Sequence, residues 1–385
     1  MVRAALLAIV ALALAGCAGR GAVAPPVAPK AVLAEPEIIT PDEGATRRDL
    51  VARAHRAIQE GRWREAVAAL ETLRAAGRFD GDPDAVGILL NLGLAYEGLG
   101  DRERARAAYR ELARRFPESP ETRTALMRAV ALHADLEDWA PLGEAAEALL
   151  ARKDLDTVDR MTALGARGLS RVELGDDAAA MRDIQLGLDD VEALGFGTSG
   201  KLPGPAAQLR FAQAEVRRVR SERIGFLPVT PDFIMKIEAR CQGLLDAQNA
   251  YADTMRSEDP HWAAMSGYHV GAMYRTLHHE LMQIPPTALA KSDSDKQLFF
   301  AIMHLRYRVL LEKGLEMMKR TSAFASKNPD VLPWAKRAEQ AEADMEQGLS
   351  DEKAIMASFP YTEEVVQKAL DILEKKALAK AAHAR

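Results

Sequence analysis

The sequence is poor in cysteine and aromatic residues, has no basic excess and contains no long hydrophobic run. Aromatic residues make up 5% of its 385 residues and cysteine occurs twice. Neither Cys-x2-Cys nor H-E-x-x-H spacing is present, so the common zinc motifs are excluded. The net charge of −5 argues against a general nucleic-acid binder, whose surface would be basic. The apolar run at residues 4–15 holds about 12 residues, whereas a membrane-spanning helix needs about 20.

The residues that are abundant favour helices. Hydrophobic residues make up 48% of the chain and charged residues 28%, with Ala, Leu, Arg and Glu dominating. No segment shows the strict alternation of apolar and polar residues that is typical of a strand. We therefore predict an all-α fold, and 385 residues are enough for two domains or one long solenoid.

Residues 86–119 have the pattern of one complete helix–turn–helix repeat. Small residues occur where two helices would cross closely, aromatic residues lie beside them, a Gly-Asp pair marks the turn and a proline ends the second helix. The positions that carry the pattern are Leu89, Leu92, Gly93, Tyr96, Gly100, Ala105, Tyr109 and Pro117. Their spacing resembles the tetratricopeptide repeat (TPR), with Leu89 in place of the usual tryptophan. The resemblance implies a solenoid of helical hairpins that binds other proteins.

Three weaker copies flank this repeat, at about residues 47–79, 123–154 and 161–194. Each keeps some signature positions and loses others; in the first copy, for example, Arg53 and Ala54 replace the Leu-Gly pair. A solenoid of this kind needs three or more stacked units for stability. We therefore predict TPR-like repeats over residues 41–195.

The second half of the chain keeps a helical pattern without clear repeats. Residues 195–205 are rich in glycine and proline, and we place the domain boundary there. Helices are predicted at about 205–224, 232–257, 261–283, 294–326, 331–348 and 361–381. Residues 206–385 should thus form irregular helical hairpins, with an amphipathic last helix as the cap of the solenoid.

The N-terminus resembles the signal peptide of bacterial lipoproteins. Arg3 supplies a positive charge, residues 4–15 are apolar, and Leu-Ala-Gly-Cys ends at Cys17. The resemblance implies that residues 1–16 are removed, that Cys17 carries acyl chains, and that Ala18 directs the protein to the outer membrane. A plain secretory signal or a short transmembrane helix is the alternative. Residues 17–40, rich in proline and alanine, would be a flexible tether.

The remaining cysteine and histidines do not indicate a catalytic or metal site. With Cys17 acylated, Cys241 has no partner for an intramolecular disulfide, and its helical spacing with apolar residues predicts a buried thiol. His278 and His279 would point about 100° apart on a helix, which makes them poor co-ligands. We therefore predict no metal, no cofactor and no catalytic residue.

Residues 195–201 match the G-x4-G-K pattern of a phosphate-binding loop, but the context of that motif is absent. A helix is predicted before it instead of a strand, and Leu202 stands where a Ser or Thr would bind Mg²⁺. Pro203 and Pro205 interrupt the helix that should follow. We predict that no nucleotide binds.

The TPR resemblance also assigns a partner-binding groove to the first helix of each repeat. Transferred position by position, its residues are Arg48, His55, Leu90, Asn91, Leu94, Glu97, Thr124 and Met127. Asn91 matches one position of TPRs that clamp a peptide carboxylate, but the Lys and Arg partners of that clamp are missing.

Together these features predict a non-catalytic scaffold, lipid-anchored at the periplasmic face of the outer membrane, that holds partner proteins in a trans-envelope machine. The C-terminal half most resembles TPR lipoproteins of gliding-motility machinery. One alternative is a pilotin-like assembly factor for a secretin or a β-barrel complex. Another class is a ligand-binding protein or an enzyme with a site around His269, Tyr274 and His278 in the C-terminal helices.

Overall fold

A computed structural model describes residues 46–76, 84–197, 202–286, 290–328 and 331–383. Over these ranges the chain forms fourteen α-helices and no strand, so the predicted all-α, TPR-like fold is confirmed. The signal peptide, Cys17, the tether and residues 198–201 of the glycine-rich loop lie outside the described residues. No helix within the described ranges is long and apolar enough to cross a membrane.

The chain divides into two compact units after Leu174. The N-terminal unit holds α1 (Arg47–Gln59), α2 (Trp63–Ala76), α3 (Ala85–Leu99), α4 (Arg102–Arg115), α5 (Pro120–Asp135), α6 (Trp139–Leu150) and α7 (Thr157–Glu173). The C-terminal unit holds α8 (Asp177–Ala193), α9 (Gly204–Glu222), α10 (Phe233–Met255), α11 (Pro260–Met282), α12 (Asp293–Ala325), α13 (Leu332–Ser358) and α14 (Glu363–His383). This division falls one helix before the expected boundary at residues 195–205, because α8 packs on α9. The predicted domain ranges themselves stay a prediction.

In the N-terminal unit, helices pair as antiparallel hairpins and the hairpins stack. The hairpins are α1–α2, α3–α4 and α5–α6. Between hairpins, α2 contacts α3 and α4 contacts α5, and α6 contacts α7. The first helices of the second and third hairpins also touch, since α3 contacts α5, and α5 in turn contacts α7. This arrangement places one exposed face of α1, α3 and α5 on the same side of the unit.

The three hairpin turns have one geometry. Each places a residue with positive φ at the same point: Gly61 (φ 67°), Gly100 (φ 75°) and Glu137 (φ 56°). At each turn the next backbone N–H donates five residues back, as from Asp101 to the oxygen of Tyr96 at 2.9 Å. Such bonds satisfy carbonyls at the end of the first helix. Glu137 adopts a conformation that glycine favours, so the third turn was not evident from sequence.

The core of the N-terminal unit lies at two kinds of interface. One is between the two helices of each hairpin, and the other is between each hairpin and the next. Leu89, Leu92 and Ala105 are fully buried, and Tyr96 and Tyr109 are 5% and 1% exposed. A Cβ atom on Gly93 would collide with the ring of Tyr109. The helices α3 and α4 can therefore approach closely only because position 93 has no side chain.

The C-terminal unit uses longer helices, of up to 33 residues in α12. Each helix from α8 to α12 packs on the next, α11 also contacts α9 and α13, and α14 docks on α12. Gly271 and Gly314 allow α11 and α12 to cross closely, because a Cβ on either would lie 3.1 Å from the other's backbone oxygen. The C-terminal cap helix was predicted, and Val366 and Leu370 form its buried side.

One helix boundary differs clearly from the prediction. The sequence prediction ended α13 near residue 348, but the helix continues to Ser358. Gly348 remains helical, and Glu352 and Met356 are buried one and two turns later, so packing outweighs the weak helix propensity of glycine. The first helix begins at Arg47, where Thr46 and Asp49 form a reciprocal capping box.

Candidate functional site

The equivalent turns define which residues of α1, α3 and α5 occupy the same place in each hairpin. Gly61 and Gly100 lie 39 residues apart, and Gly100 and Glu137 lie 37 apart. This register aligns three rows of residues on the first helices. The rows are Arg48, Gly87 and Thr124; Val51, Leu90 and Met127; and His55, Leu94 and Ala131. We call these nine residues the helix-A face.

The middle row of the helix-A face is apolar and accessible on all three helices. Val51 is 42% exposed, and Leu90 and Met127 are half-buried. Leu94 in the third row is also half-buried, while Ala131 is exposed. A Cβ on Gly87 would meet nothing within 4 Å, so the first row leaves open space beside Leu90. The face is thus an apolar strip across three helices with small residues along its side.

Polar residues lie around this strip. Arg48, His55 and Thr124 are exposed and Asn91 is half-buried, as expected for residues that a partner can reach. Arg48 and His55 both lie on α1, so the guanidinium of Arg48 and the imidazole of His55 are at the same end of the strip. The predicted groove residues therefore share one side of the unit, and their role in binding stays a prediction.

Two predicted groove residues contact other helices of the N-terminal unit. Leu90 packs against the core of the N-terminal unit. Glu97 accepts a hydrogen bond from the hydroxyl of Tyr109 and pairs with Arg128 at 3.1 Å. Burial and the carboxylate of Glu97 together raise the pKa of Tyr109. Glu97 thus contributes to the α3–α4–α5 packing, and Leu94 is the better probe of binding.

A small cavity of about 440 Å³ lies between α2, α3 and α4. Its charged groups already pair with one another: the Tyr96 hydroxyl donates to Glu71 at 2.6 Å, and Arg74 pairs with Glu111 at 2.8 Å. Burial, followed by the hydrogen bond to Glu71, raises the pKa of Tyr96 to about 12. These four side chains therefore already have partners, and Arg104, which also lines the cavity, lies 3.5 Å from Asp101.

The rival site in the C-terminal helices does not converge on one point. His269 Nδ1 lies 2.9 Å from Glu215, which is fully buried, and the Tyr274 hydroxyl donates to Gln248 at 2.6 Å. His278 instead faces Glu352 of α13, with 3.0 Å between Nε2 and the carboxylate. These three residues of α11 thus contact three different partners, and each contact joins neighbouring helices.

Glu352 bridges two histidines and so joins α11, α12 and α13. His304 Nδ1 lies 2.7 Å from one carboxylate oxygen and is hydrogen bonded to it, whereas the His278 contact with the other oxygen has poorer hydrogen-bond geometry. Burial alone raises the pKa of Glu352, but the two histidines outweigh it and lower the pKa to about 2. Among the described residues no three His, Cys, Asp or Glu side chains are placed to hold a metal ion.

Cys241, the second cysteine, is half-buried on α10. Burial raises the pKa of its thiol, which outweighs the opposing effect of nearby Arg240 and Arg306. The thiol is therefore protonated at neutral pH and weakly nucleophilic.

Comparison with known families identifies the N-terminal helices. Residues 51–120, from α1 to the start of α5, match the sequence model of the family described as tetratricopeptide repeat. The hairpins built from residues 51–120 are therefore similar to tetratricopeptide repeats. A solved structure of a tetratricopeptide repeat protein from Parabacteroides merdae is similar to 76% of this chain and 98% of its own, with 14% identity and a TM-score of 0.38. No curated protein matches the sequence.

The register of the TPR hairpins also adds residues that sequence reasoning missed. Val51, Ala131 and Arg128 lie on or beside the helix-A face but were not among the predicted groove residues. Val51 and Leu90 are separated by the same 39 residues as Gly61 and Gly100, so the turn spacing was the available signal. Arg128 lies 37 residues after Asn91, the same spacing that separates Gly100 from Glu137.

Proposed function

We propose that this protein is a non-catalytic scaffold whose helix-A face binds a segment of a partner protein. The observation that carries the proposal is the apolar strip of Val51, Leu90 and Met127, which is accessible on the first helices of three successive hairpins. TPR hairpins generally serve protein–protein interaction. Nothing in the packing of the N-terminal unit requires Val51 to be apolar, since it is 42% exposed.

The strip also suggests the chemistry of the partner segment. Packed neighbouring helices lie about 8–10 Å apart, so the three apolar side chains recur at about that interval. On a helix, residues seven positions apart are separated by about 10 Å. A partner helix with an apolar residue at every seventh position matches this interval, and such helices bind apolar grooves. Arg48 and His55 at the α1 end favour an acidic residue at one end of that helix.

The N-terminal sequence supports a membrane anchor for this scaffold. In the proposal, residues 1–16 are cleaved, Cys17 is acylated, and residues 17–40 tether the repeats to the periplasmic face of the outer membrane. Several acyl chains anchor stably where a single chain would not. The scaffold would then hold a partner in a trans-envelope machine, and the resemblance of the C-terminal half favours gliding-motility machinery.

The test of the binding face is Leu94→Asp in the full-length protein. Because Leu94 is half-buried on the helix-A face and is not part of the core cluster, the change should weaken capture of the partner and leave the melting temperature nearly unchanged. Ala107→Asp is the matched control, since Ala107 is exposed on α4, the other helix of the same hairpin. Equal loss of capture in both variants would contradict the proposal.

Affinity capture of the lipidated protein followed by mass spectrometry tests the assignment to a machine. Components of gliding-motility machinery among the captured proteins would support it. Capture of secretin subunits or of a β-barrel assembly complex would replace it with the pilotin-like or assembly role.

A further inference from the structure

The connection between α9 and α10 exposes an unusual number of large apolar side chains. Leu227 is 51% exposed, Val229 46% and Met235, on the first turns of α10, 71%. Phe226, directly before Leu227, is only 4% exposed and packs edge-on against Phe233, with 6.1 Å between the ring centroids. Because Phe226 holds the connection from inside, its neighbours project outward. We call Leu227, Val229 and Met235 the apolar tip.

An open cavity of about 470 Å³ lies on the same hairpin. Arg217, Arg220, Ser221 and Ile224 line it from α9; Ala239, Gly243, Asp246 and Asn249 line it from α10. The α9 residues recur every three or four positions, and so do the α10 residues together with Met235, four positions before Ala239. Met235 of the apolar tip and the cavity therefore lie on one face of α10.

The cavity offers guanidinium groups that are not fully neutralised. Arg217 donates to the backbone oxygen of Asp246 at 3.4 Å, a long bond to an uncharged acceptor. Arg220 shares the carboxylate of Asp177 with Arg223, at 3.1 Å and 2.9 Å. A close approach at Gly243, where a Cβ would lie 2.7 Å from that of Ser221, brings α9 and α10 together beneath these groups.

The charge of this segment is opposite to that of the whole chain. Residues 217–236 hold five basic and two acidic side chains, a net charge of +3, whereas the protein has a net charge of −5. Basic side chains beside exposed apolar ones are what an interfacial membrane contact requires: the apolar groups enter the headgroup boundary and the basic groups meet lipid phosphates.

We propose that the α9–α10 hairpin is a second membrane contact, in which the apolar tip enters the bilayer interface and the arginine cavity takes the phosphate of an anionic phospholipid. The proposal rests on the lipid anchor only because the anchor brings the protein to a membrane. The contact would orient the C-terminal unit on the bilayer.

The test uses the full-length, lipidated protein with Cys241→Ser, labelled with an environment-sensitive fluorophore at Met235→Cys. On vesicles of phosphatidylcholine with phosphatidylglycerol, the emission should shift to the blue and be quenched by lipids that carry a nitroxide in the acyl chain. The same label at Leu332→Cys, on an exposed residue of α13, should remain in an aqueous environment. A flotation assay on the same samples reports the anchor separately.

Four outcomes decide the proposal. Quenching at position 235 that needs phosphatidylglycerol and falls several-fold with Arg217→Ala supports it, since a basic side chain near an anionic surface is worth about fivefold in partitioning. A label that stays aqueous on protein that floats with the vesicles overturns the contact while leaving the anchor intact. Quenching that is equal on pure phosphatidylcholine, or protein that does not float at all, overturns the proposal as well.

Discussion

Replacing Gly93 by alanine would place a methyl group against the ring of Tyr109. The ring is 1% exposed, and a Cβ at position 93 would lie closer than 3.0 Å to its nearest ring carbon. If it shifts, its hydroxyl leaves the carboxylate of Glu97. The substitution therefore tests whether close packing of α3 on α4 stabilises the TPR hairpin.

The expected change in the unfolding free energy follows from three contributions, one stabilising and two destabilising. Alanine is favoured over glycine in a helix by about 1 kcal/mol. Overpacking of a filled core costs about 1–3 kcal/mol, and the loss of a hydrogen bond to a charged group costs about 1.5–3 kcal/mol. With all three contributions present, we expect a net loss of about 1.5–5 kcal/mol in the unfolding free energy of the N-terminal unit.

The same helix provides a matched control in Gly87→Ala. Position 87 is also helical, but a Cβ there meets nothing within 4 Å. Only the higher helix propensity of alanine over glycine remains, so this variant should be more stable than the wild type, by up to about 1 kcal/mol. The two alanine variants should therefore change stability in opposite directions.

The assay is urea unfolding, read by hydrogen exchange on peptides from α3 and α4, because two units can unfold separately. Tyr109→Ala removes the ring with which the new methyl group would collide. Adding Gly93→Ala to Tyr109→Ala should therefore cost no further unfolding free energy, and the double-mutant cycle should show strong coupling between positions 93 and 109. A Gly93→Ala protein as stable as Gly87→Ala, or a cycle without coupling, would refute the packing argument.

Three further predictions concern titration and the anchor. Burial and nearby Arg106 lower the pKa of His133, so as the pH falls the unfolded chain takes up the proton at a higher pH than the folded chain does. The urea midpoint of the N-terminal unit should therefore fall as the pH drops below about 6.5, and His133→Gln should remove that dependence on pH. The pKa of Glu352 is lowered to about 2, so its contribution is complete above pH 4.5 and is lost as the pH falls toward 2; Glu352→Gln should flatten the melting temperature over that range. Cys17→Ser should leave the protein unprocessed or release it from the outer-membrane fraction, and unchanged fractionation would contradict the anchor.

The sequence predicted most of the helices because their ends carry local signals. Gly100 and Asp101 mark the α3–α4 turn, and Pro117 follows the end of α4 at Arg115. In the C-terminal unit the predicted helices agree with the observed ones within about two residues except at the end of α13. There, Gly348 resembled a stop signal, and only tertiary packing of Glu352 and Met356 explains why the helix continues.

The candidate site was less accessible to sequence reasoning, because it depends on register between helices. Leu90 and Leu94 could be identified from one well-formed repeat, but Val51 needed the alignment of two turns. The contact of Leu90 with the core and the bond from Tyr109 to Glu97 depend on how neighbouring helices pack, which a single sequence does not specify. The bridge from His278 to Glu352 joins residues 74 positions apart, so no local motif could indicate it.

The most direct test of the scaffold function is site-specific photo-crosslinking in cells that make the lipidated protein. A photoreactive amino acid at Leu94 lies on the helix-A face, and the same amino acid at Ala107 lies on α4 of the same hairpin. Our account predicts a protein adduct from position 94, absent from position 107, that is lost when Val51→Asp is added. Adducts from position 107 alone, or none from position 94, would contradict it.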